Sequence, residues 1–227
     1  MNNYNLGEKS KSYYSEAEIY DIFSRREDAP AKIFKAILPI IQGKTVLDLG
    51  CGTGKYAALF AEHTKKIFAL DASAKEIDIA RKRIYFKNID FIVADARKIP
   101  LKDKSVDIIF SAWVLGTIAD DSHKAMVVEE MERVLKPGGE IYLIENDTGG
   151  EFERIRGRTK DPLKRTATYN KWLQKEMEFR VFKRFITYFR FTSGREAKQV
   201  IKSIWGESAV KQIKTNNIKH KIIIFTK

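Results

Sequence analysis

A short glycine-rich segment carries most of the chemistry visible in this sequence. Residues 48–54 read Asp-Leu-Gly-Cys-Gly-Thr-Gly and directly follow the apolar pair Val46 and Leu47. Glycines let the backbone pass close to a ligand that a Cβ would displace. A dinucleotide fingerprint is spaced G-x-G-x-x-G, whereas this segment is spaced G-x-G-x-G and has an acid two residues ahead. Because Asp48 would repel a pyrophosphate, the segment favours a ligand with cationic groups, such as an ammonium beside a sulfonium.

Two more acids follow the next two apolar runs. Asp71 comes directly after the run 67–70, and Asp95 comes shortly after the run 91–93. An acid in the position of Asp71 can accept both hydrogen bonds of a ribose diol, and Asp95 can accept a hydrogen bond from the amino group of adenine. Three successive strands are thus predicted to be followed by acids at one edge of a sheet.

These acids depend on an alternation of strands and helices. Apolar runs rich in Val, Ile and Leu predict strands over 45–49, 66–70, 89–93, 106–111 and 140–145, and amphipathic spacing predicts helices over 15–26, 31–41, 55–63, 74–86 and 122–135. Further on, strands over 182–191 and 221–226 and helices over 195–205 and 207–216 are predicted. Buried strands joined by helical crossovers are typical of a parallel sheet covered on both faces, which is a doubly wound α/β core.

Five segments in this order resemble the motifs of class I S-adenosylmethionine-dependent methyltransferases, in the branch of quinone-biosynthesis and other small-molecule methylases. The segments are 46–54, 69–71 (Ala-Leu-Asp), 94–96 (Ala-Asp-Ala), 107–111 (Asp-Ile-Ile-Phe-Ser) and 132–139 (Glu-Arg-Val-Leu-Lys-Pro-Gly-Gly). The resemblance implies a Rossmann-like, mostly parallel seven-stranded sheet with helices on both faces and an antiparallel last strand. It also implies that the chain is an enzyme whose cofactor is S-adenosylmethionine.

The same resemblance assigns cofactor contacts residue by residue. The glycine loop and Asp48 would hold the methionyl end of the cofactor, Asp71 the ribose, and Asp95 with Ala96 the adenine, while Ser111 would lie beside the methyl group. The predicted cofactor-binding residues are Asp48, Gly50, Cys51, Gly52, Gly54, Asp71, Ala72, Asp95, Ala96 and Ser111.

Residues 111–114 read Ser-Ala-Trp-Val, and so lack the Asn/Asp-Pro-Pro-aromatic signature of enzymes that methylate adenine or glutamine amino groups. This departure lowers the expectation of N-methylation of bases or side-chain amides.

The acceptor side is predicted from aromatic and histidine residues. Tyr13, Tyr14 and Trp113 are candidate walls of the acceptor pocket, because their rings combine an apolar body with a polar tip. His123, near the start of the helix that follows the fourth strand, is a candidate proton acceptor. His220 is predicted to be a surface residue, and no catalytic residue is identified.

Composition bounds the class of protein. The chain has 227 residues, of which 44% are hydrophobic and 32% charged, so a sizeable core is expected. The single cysteine, Cys51, and three scattered histidines predict neither an intramolecular disulfide nor a structural metal site. No apolar run approaches the roughly 20 residues of a membrane span, and no secretion signal is visible, so a cytoplasmic location is expected.

Positive charge is concentrated near the end of the chain. Residues 151–227 hold 20 of the 42 Lys and Arg but only 7 of the 30 Asp and Glu. This imbalance favours an acidic partner such as nucleic acid, an anionic membrane surface or an anionic substrate, or it serves solubility alone. The predicted division is a helical prelude over 1–42, a cofactor-binding core over 43–147 and a basic acceptor-side segment over 148–227, whose stretch 151–165 is predicted to be mobile.

The sequence therefore predicts a methyltransferase acting on a small acceptor that is anionic or lipid-associated. The alternatives are an RNA methyltransferase that uses the basic third, and a non-catalytic cofactor-binding module that activates a partner. The oligomeric state is left open.

Overall fold

The fold is an α/β sandwich around one sheet. The structure, a computed structural model, describes residues 17–29, 31–157 and 162–227. The strands are β1 Thr45–Leu49, β2 Lys66–Asp71, β3 Ile89–Val93, β4 Val106–Ala112, β5 Leu135–Asn146, β6 Arg180–Arg190 and β7 Asn217–Thr226. The helices in these ranges are α1 Ala17–Arg26, α2 Lys32–Ile41, α3 Lys55–Phe60, α4 Ala74–Arg83, α5 Asp121–Val134, α6 Glu151–Arg156, α7 Pro162–Lys175, α8 Gly194–Trp205 and α9 Glu207–Val210. None of these described helices has the length and apolar surface needed to cross a bilayer.

The sheet confirms the predicted topology. Its strand order is β3-β2-β1-β4-β5-β7-β6. Neighbouring strands from β3 through β5 are parallel, and Leu47 of β1 lies between Phe68 of β2 and Ile109 of β4. Strand β7 runs antiparallel to both of its neighbours. Because the chain order reverses between β1 and β4, a crevice is expected beyond the carboxyl ends of these two strands.

Helices cover both faces of the sheet, as buried parallel strands require. One face packs against α2, α3 and α4 through residues such as Ile37, Phe60 and Ile77. The other face packs against α5 and α7 through residues such as Val127 and Leu173. A third apolar cluster joins α1, α6 and α8 to strands β6 and β7. This third cluster matters for function, because several of its aromatic side chains also border the crevice.

Beyond shifts in the ends of elements, such as a strand β5 that begins at Leu135 rather than 140 and a helix α4 that ends at Arg83 rather than 86, two segments differ from the sequence prediction. Residues 151–165 were expected to be mobile, yet 151–156 form helix α6, because Phe152 and Ile155 lie one helical turn apart and are both buried. The helix predicted over 207–216 ends at Val210. Beyond it the turn-forming residues Thr215 and Asn216 bond the backbone of neighbouring segments instead of continuing a helix.

Candidate functional site

The glycine loop lies at the carboxyl end of β1. Gly50, Gly52 and Gly54 have φ angles of 74°, 55° and 81°, a region that side chains rarely adopt. The N–H of Gly50 donates to the carbonyl of Leu70 at 2.7 Å, which fixes the loop against β2. A Cβ on Gly50 would come within 2.1 Å of the Val114 side chain. The loop therefore requires glycine for both its backbone conformation and its packing.

A cavity of about 390 Å³ opens at this edge of the sheet. One end is bordered by the glycine loop and by residues at or just beyond the ends of β2 and β3, which are Gly50, Leu70, Asp71, Ala72, Ala94 and Ala96. The other end is bordered by the aromatic residues Phe23, Trp113, Phe152 and Trp205, whereas the ring of Tyr20 lies beside Gly52 of the glycine loop. Four carboxylates and one guanidinium complete the charged lining, which consists of Glu27, Asp71, Glu76, Glu145 and Arg156. The cavity thus joins an acidic, glycine-lined end to an aromatic end.

Asp71 ties the glycine loop to the end of β2. Its Oδ2 accepts a hydrogen bond from the N–H of Gly52 at 2.9 Å, and its Oδ1 accepts one from the N–H of Ser73 at 2.8 Å. Burial raises the pKa of this carboxyl, and these backbone donors offset part of the rise. The carboxylate is held in place by two loops and still borders the cavity.

Asp48 lies behind the loop and is also buried, at 2% exposure. Its Oδ2 meets no hydrogen-bond donor among the described residues, although the N–H of Ala57 donates to the carboxylate. Burial, reinforced by the nearby charge of Asp71, raises the pKa of Asp48 to about 7. A buried carboxylate oxygen without a donor favours a cationic or hydrogen-bonding group close by.

Glu76 is a cavity acid that the sequence reasoning missed. It is 2% exposed, and burial together with the charges of Asp71 and Asp21 raises its pKa to about 8. The pattern Ser73-x-x-Glu76 at the start of a helix is typical of a capping box, which would occupy the glutamate. In this chain the N–H of Ser73 is already taken by Asp71, so the Glu76 carboxyl is left at the cavity wall.

The remaining predicted cofactor residues lie at the rim or behind the wall. Ala72 and Ala96 border the cavity. Cys51 is buried behind the loop, and burial raises the pKa of its thiol well above the ordinary value. The Ser111 hydroxyl donates to the carbonyl of Leu49 at 3.0 Å.

Asp95 takes a different position from the neighbouring alanines. Its carboxylate accepts hydrogen bonds from the Arg97 guanidinium, the shortest at 2.6 Å, and does not border the cavity, whereas Ala94 and Ala96 on either side do. A contact between Asp95 and adenine stays a prediction.

Of the predicted acceptor residues, Trp113 borders the cavity. It has a φ angle of 57°, and its ring stacks on His220 with centroids 5.8 Å apart. His123 is not among the lining residues, and its N–H caps helix α5 by donating to Asp120 at 3.2 Å. Tyr13 and Tyr14 lie outside the described residues.

The prediction that His220 is a surface residue is wrong. The residue is 1% exposed, and its Nε2 lies 2.7 Å from Oδ1 of Asn146. Its Nδ1 lies 3.3 Å from Glu27 Oε1, close enough for an ion pair but without hydrogen-bond geometry. The imidazole lies on the inner face of β7, because Ile218, His220 and Ile222 lie two residues apart and so share one face of the strand. This spacing was the signal in the sequence that could have predicted the burial of His220.

Comparison with known proteins finds a family model that matches part of the chain. Residues 47–143 match the family model of the methyltransferase domain. The match covers less than half of the chain and shows a likeness to methyltransferases over that domain.

Two curated methyltransferases match part of the chain. Over 139 residues it is 31% identical to a malonyl-[acyl-carrier protein] O-methyltransferase of Marinomonas, a match covering 58% of this chain and 49% of that protein. Over 110 residues it is 34% identical to a ubiquinone/menaquinone biosynthesis C-methyltransferase of Pseudomonas fluorescens, covering 45% and 42%. The chain thus spans less than half the length of these two relatives.

A solved structure extends the likeness of the fold over nearly the whole chain. The crystal structure of a SAM-dependent methyltransferase from Aquifex aeolicus matches with a TM-score of 0.62 at 20% identity, over 94% of this chain and 97% of that chain. At this identity the match shows the shared fold.

The lining of the cavity fits S-adenosylmethionine, the cofactor that the resemblance implies. The acids Asp71 and Glu76 on its wall favour a positively charged ligand. Asp48, buried behind the glycine loop, has an Oδ2 without a hydrogen-bond donor among the described residues. The absence of a side chain at Gly50 gives a ligand close access to the backbone.

Proposed function

We propose that this protein transfers a methyl group from S-adenosylmethionine to a small acceptor bound at the aromatic end of the cavity. The observation that carries the proposal is the continuity of one cavity from the glycine loop to the aromatic rings of Phe23, Trp113, Phe152 and Trp205. An acceptor that enters between these rings meets the cofactor end without leaving the cavity.

The cofactor contacts follow from the lining. We propose that Gly50 and the loop around it hold the methionyl end of the cofactor, that Asp71 and Ala72 hold the ribose, and that Ala96 borders the adenine. Asp71 suits its role because its carboxylate is positioned by backbone donors on both sides. Cys51, Gly52, Gly54 and Ser111 shape the wall from behind.

In S-adenosylmethionine the methyl group is bonded to a sulfonium sulfur, which is a good leaving group. The protein therefore contributes mainly by alignment of the acceptor and exclusion of water. Helices α1 and α6 supply Phe23 and Phe152, whose ring centroids lie 6.1 Å apart at the aromatic end. An apolar enclosure of this kind admits a small molecule more readily than a polymer.

The charges of the lining bear on the choice of acceptor. Arg156 is the one Lys or Arg among the lining residues of this cavity, although the described parts of 151–227 hold many more. The other Lys and Arg in the described parts of 151–227 therefore lie outside the lining of this cavity. This distribution supports a small acceptor within the cavity, and leaves RNA as the competing substrate on the outside.

Labelled methyl transfer separates the two substrates. The purified protein is incubated with methyl-labelled S-adenosylmethionine and with either a low-mass cell extract or total RNA. We expect label in the low-mass fraction and none in RNA. RNA affinity is measured in parallel between low and physiological salt, and it should vanish at physiological salt with the steep dependence of non-specific binding. Tight, structure-selective RNA binding at physiological salt, or label in RNA alone, would contradict the proposal.

A further inference from the structure

The aromatic end of the cavity has an acidic charge balance. Glu27 and Glu145 border it, and both are buried, at 7% and 3% exposure. The one guanidinium there, Arg156, donates to the buried carboxylate of Glu153 at 2.7 Å. The positive charge of Arg156 is therefore partly balanced by Glu153, and the two carboxylates Glu27 and Glu145 outnumber it on the wall.

The rings around these carboxylates suit a cation. Phe23 and Phe152 each pack against Trp205, with ring centroids 5.1 and 5.5 Å apart. Trp113, directly after β4, borders the same cavity, and its ring stacks on His220, which also packs against Phe152 with centroids 4.6 Å apart. The faces of aromatic rings attract cations, most strongly where water is excluded.

Glu145 is the acid best placed to exchange a proton. It is at the carboxyl end of β5, where its Oε1 accepts a hydrogen bond from the Tyr169 hydroxyl at 2.8 Å and the N–H of Gly116 also donates to the carboxylate. A Cβ on Gly116 would lie 3.2 Å from Oε2, so the glycine keeps that oxygen uncrowded.

Burial raises the pKa of Glu145 to about 7. The groups that face it are Tyr169 from α7, Arg156 from α6 and Lys124 from α5, and all three lower the pKa against the effect of burial. The two protonation states of Glu145 are thus close in free energy at neutral pH, which suits a group that accepts a proton.

We propose that the acceptor is a small amine, which binds as an ammonium among the aromatic rings beside Glu27 and Glu145, and that Glu145 accepts the proton that the nitrogen must lose. This inference rests on the proposed function and names its substrate class. In the step, the N–H bond breaks, the proton passes to the Glu145 carboxylate and the electron pair stays on nitrogen. The nitrogen then bonds to the methyl carbon while the carbon–sulfur bond breaks, and its electron pair goes to sulfur. No oxidant or reductant is needed.

Three matched probes test the substrate class. Phenethylamine, phenethyl alcohol and phenylacetate share one ring and chain but differ in charge. Each is titrated by calorimetry into the protein saturated with S-adenosylhomocysteine. We expect the amine to bind at least about tenfold more tightly than the alcohol, because carboxylates and ring faces both favour a desolvated cation, and we expect the carboxylate to bind most weakly.

The pH dependence and one variant test Glu145. The affinity of the wild-type protein for phenethylamine should rise between pH 6 and pH 8, because Glu145 loses its proton in this range while the amine keeps its own. The Glu145→Gln variant should lose this rise, and the amine preference with it. The matched control is Glu129→Gln, at an exposed glutamate of α5, which should keep both.

The outcomes separate the inference from the function on which it rests. A wild-type protein that fails to bind S-adenosylhomocysteine contradicts the proposed function itself. With that binding intact, the inference is overturned by absent amine binding, by phenylacetate binding as tightly as the amine, or by a wild-type amine affinity that does not change between pH 6 and pH 8. The last two comparisons need no variant, so they stand even if Glu145→Gln does not fold.

Discussion

Replacing Asp71 by alanine should weaken cofactor binding without unfolding the protein. In the proposed complex the carboxylate accepts hydrogen bonds from the ribose, and truncation leaves these hydroxyls unpaired in a closed site, at a cost of about 2 kcal/mol. That corresponds to a rise of about 30-fold in the dissociation constant. Two backbone bonds, from Gly52 at 2.9 Å and Ser73 at 2.8 Å, are also lost from the loop.

The effect of Asp71→Ala on stability should be smaller than these lost bonds suggest. The charge of Asp71 helps to raise the pKa values of Asp48 and Glu76, so its removal relieves repulsion between buried acids. The assay is calorimetric titration with S-adenosylhomocysteine, accompanied by thermal unfolding. Asp78→Ala, at an exposed acid of α4, is the matched control and should bind as the wild type does. An unchanged dissociation constant in a folded Asp71→Ala protein would refute the placement of Asp71 at the ribose.

Three further predictions concern the loop and the buried acids. Gly50→Ala should destabilise the protein by about 1–3 kcal/mol and impair S-adenosylhomocysteine binding, because its Cβ meets a neighbouring valine at 2.1 Å. The control Gly43→Ala has a similar φ and nothing within 4 Å, so it should show the backbone strain alone. Equal losses of stability for the two variants in denaturant titrations would rule out the steric argument. Asp48→Asn should raise the melting temperature more at pH 8 than at pH 5, because the fold favours the neutral form of this acid; a larger gain at pH 5 would contradict this reason. The free energy of unfolding of the ligand-free protein should fall as pH rises from about 5 to about 8. Asp48, Glu76 and Glu145 have folded-state pKa values of about 7, 8 and 7, above their ordinary values, so the folded state binds more protons in this range. Denaturant titrations that show rising stability over this range would argue against burial of these charges.

The sheet and the glycine loop could be predicted because their signals are local. Short runs of Val, Ile and Leu between amphipathic helices predict buried parallel strands, and the loop conformation depends on glycines that are adjacent in sequence. The positions of Asp71 and Ala72 follow from the same local signals. Both residues come at the carboxyl end of the predicted second strand, and the carboxyl ends of parallel strands meet at one edge of the sheet.

The acceptor end could not be predicted in the same way, because its walls come from distant segments. Glu145 lies at the carboxyl end of a strand, as Asp48 and Asp71 do, but its burial depends on Tyr169, which is 24 residues away in sequence. Glu27 approaches His220 through the packing of α1 near β7, a contact between the two ends of the chain. Tertiary packing of this kind leaves no periodic signal in either segment.

Helix α6 shows how composition can conceal structure. The stretch 151–165 is rich in arginine and lysine, and that composition suggested a mobile segment. The alternation of charge along it hides the pair Phe152 and Ile155, which lie on one face and are buried by α1, α8 and the antiparallel strands. A pair of apolar residues is too short a pattern to outweigh the surrounding charges in sequence reasoning.

Calorimetric titration of the purified protein with S-adenosylmethionine, S-adenosylhomocysteine and NAD tests the central claim most directly. The acids around the loop and the unpartnered oxygen of Asp48 favour a cationic ligand over a pyrophosphate. We predict saturable binding of both adenosyl compounds at one site per chain and no binding of NAD. Saturable binding of NAD without binding of either adenosyl compound would contradict the account.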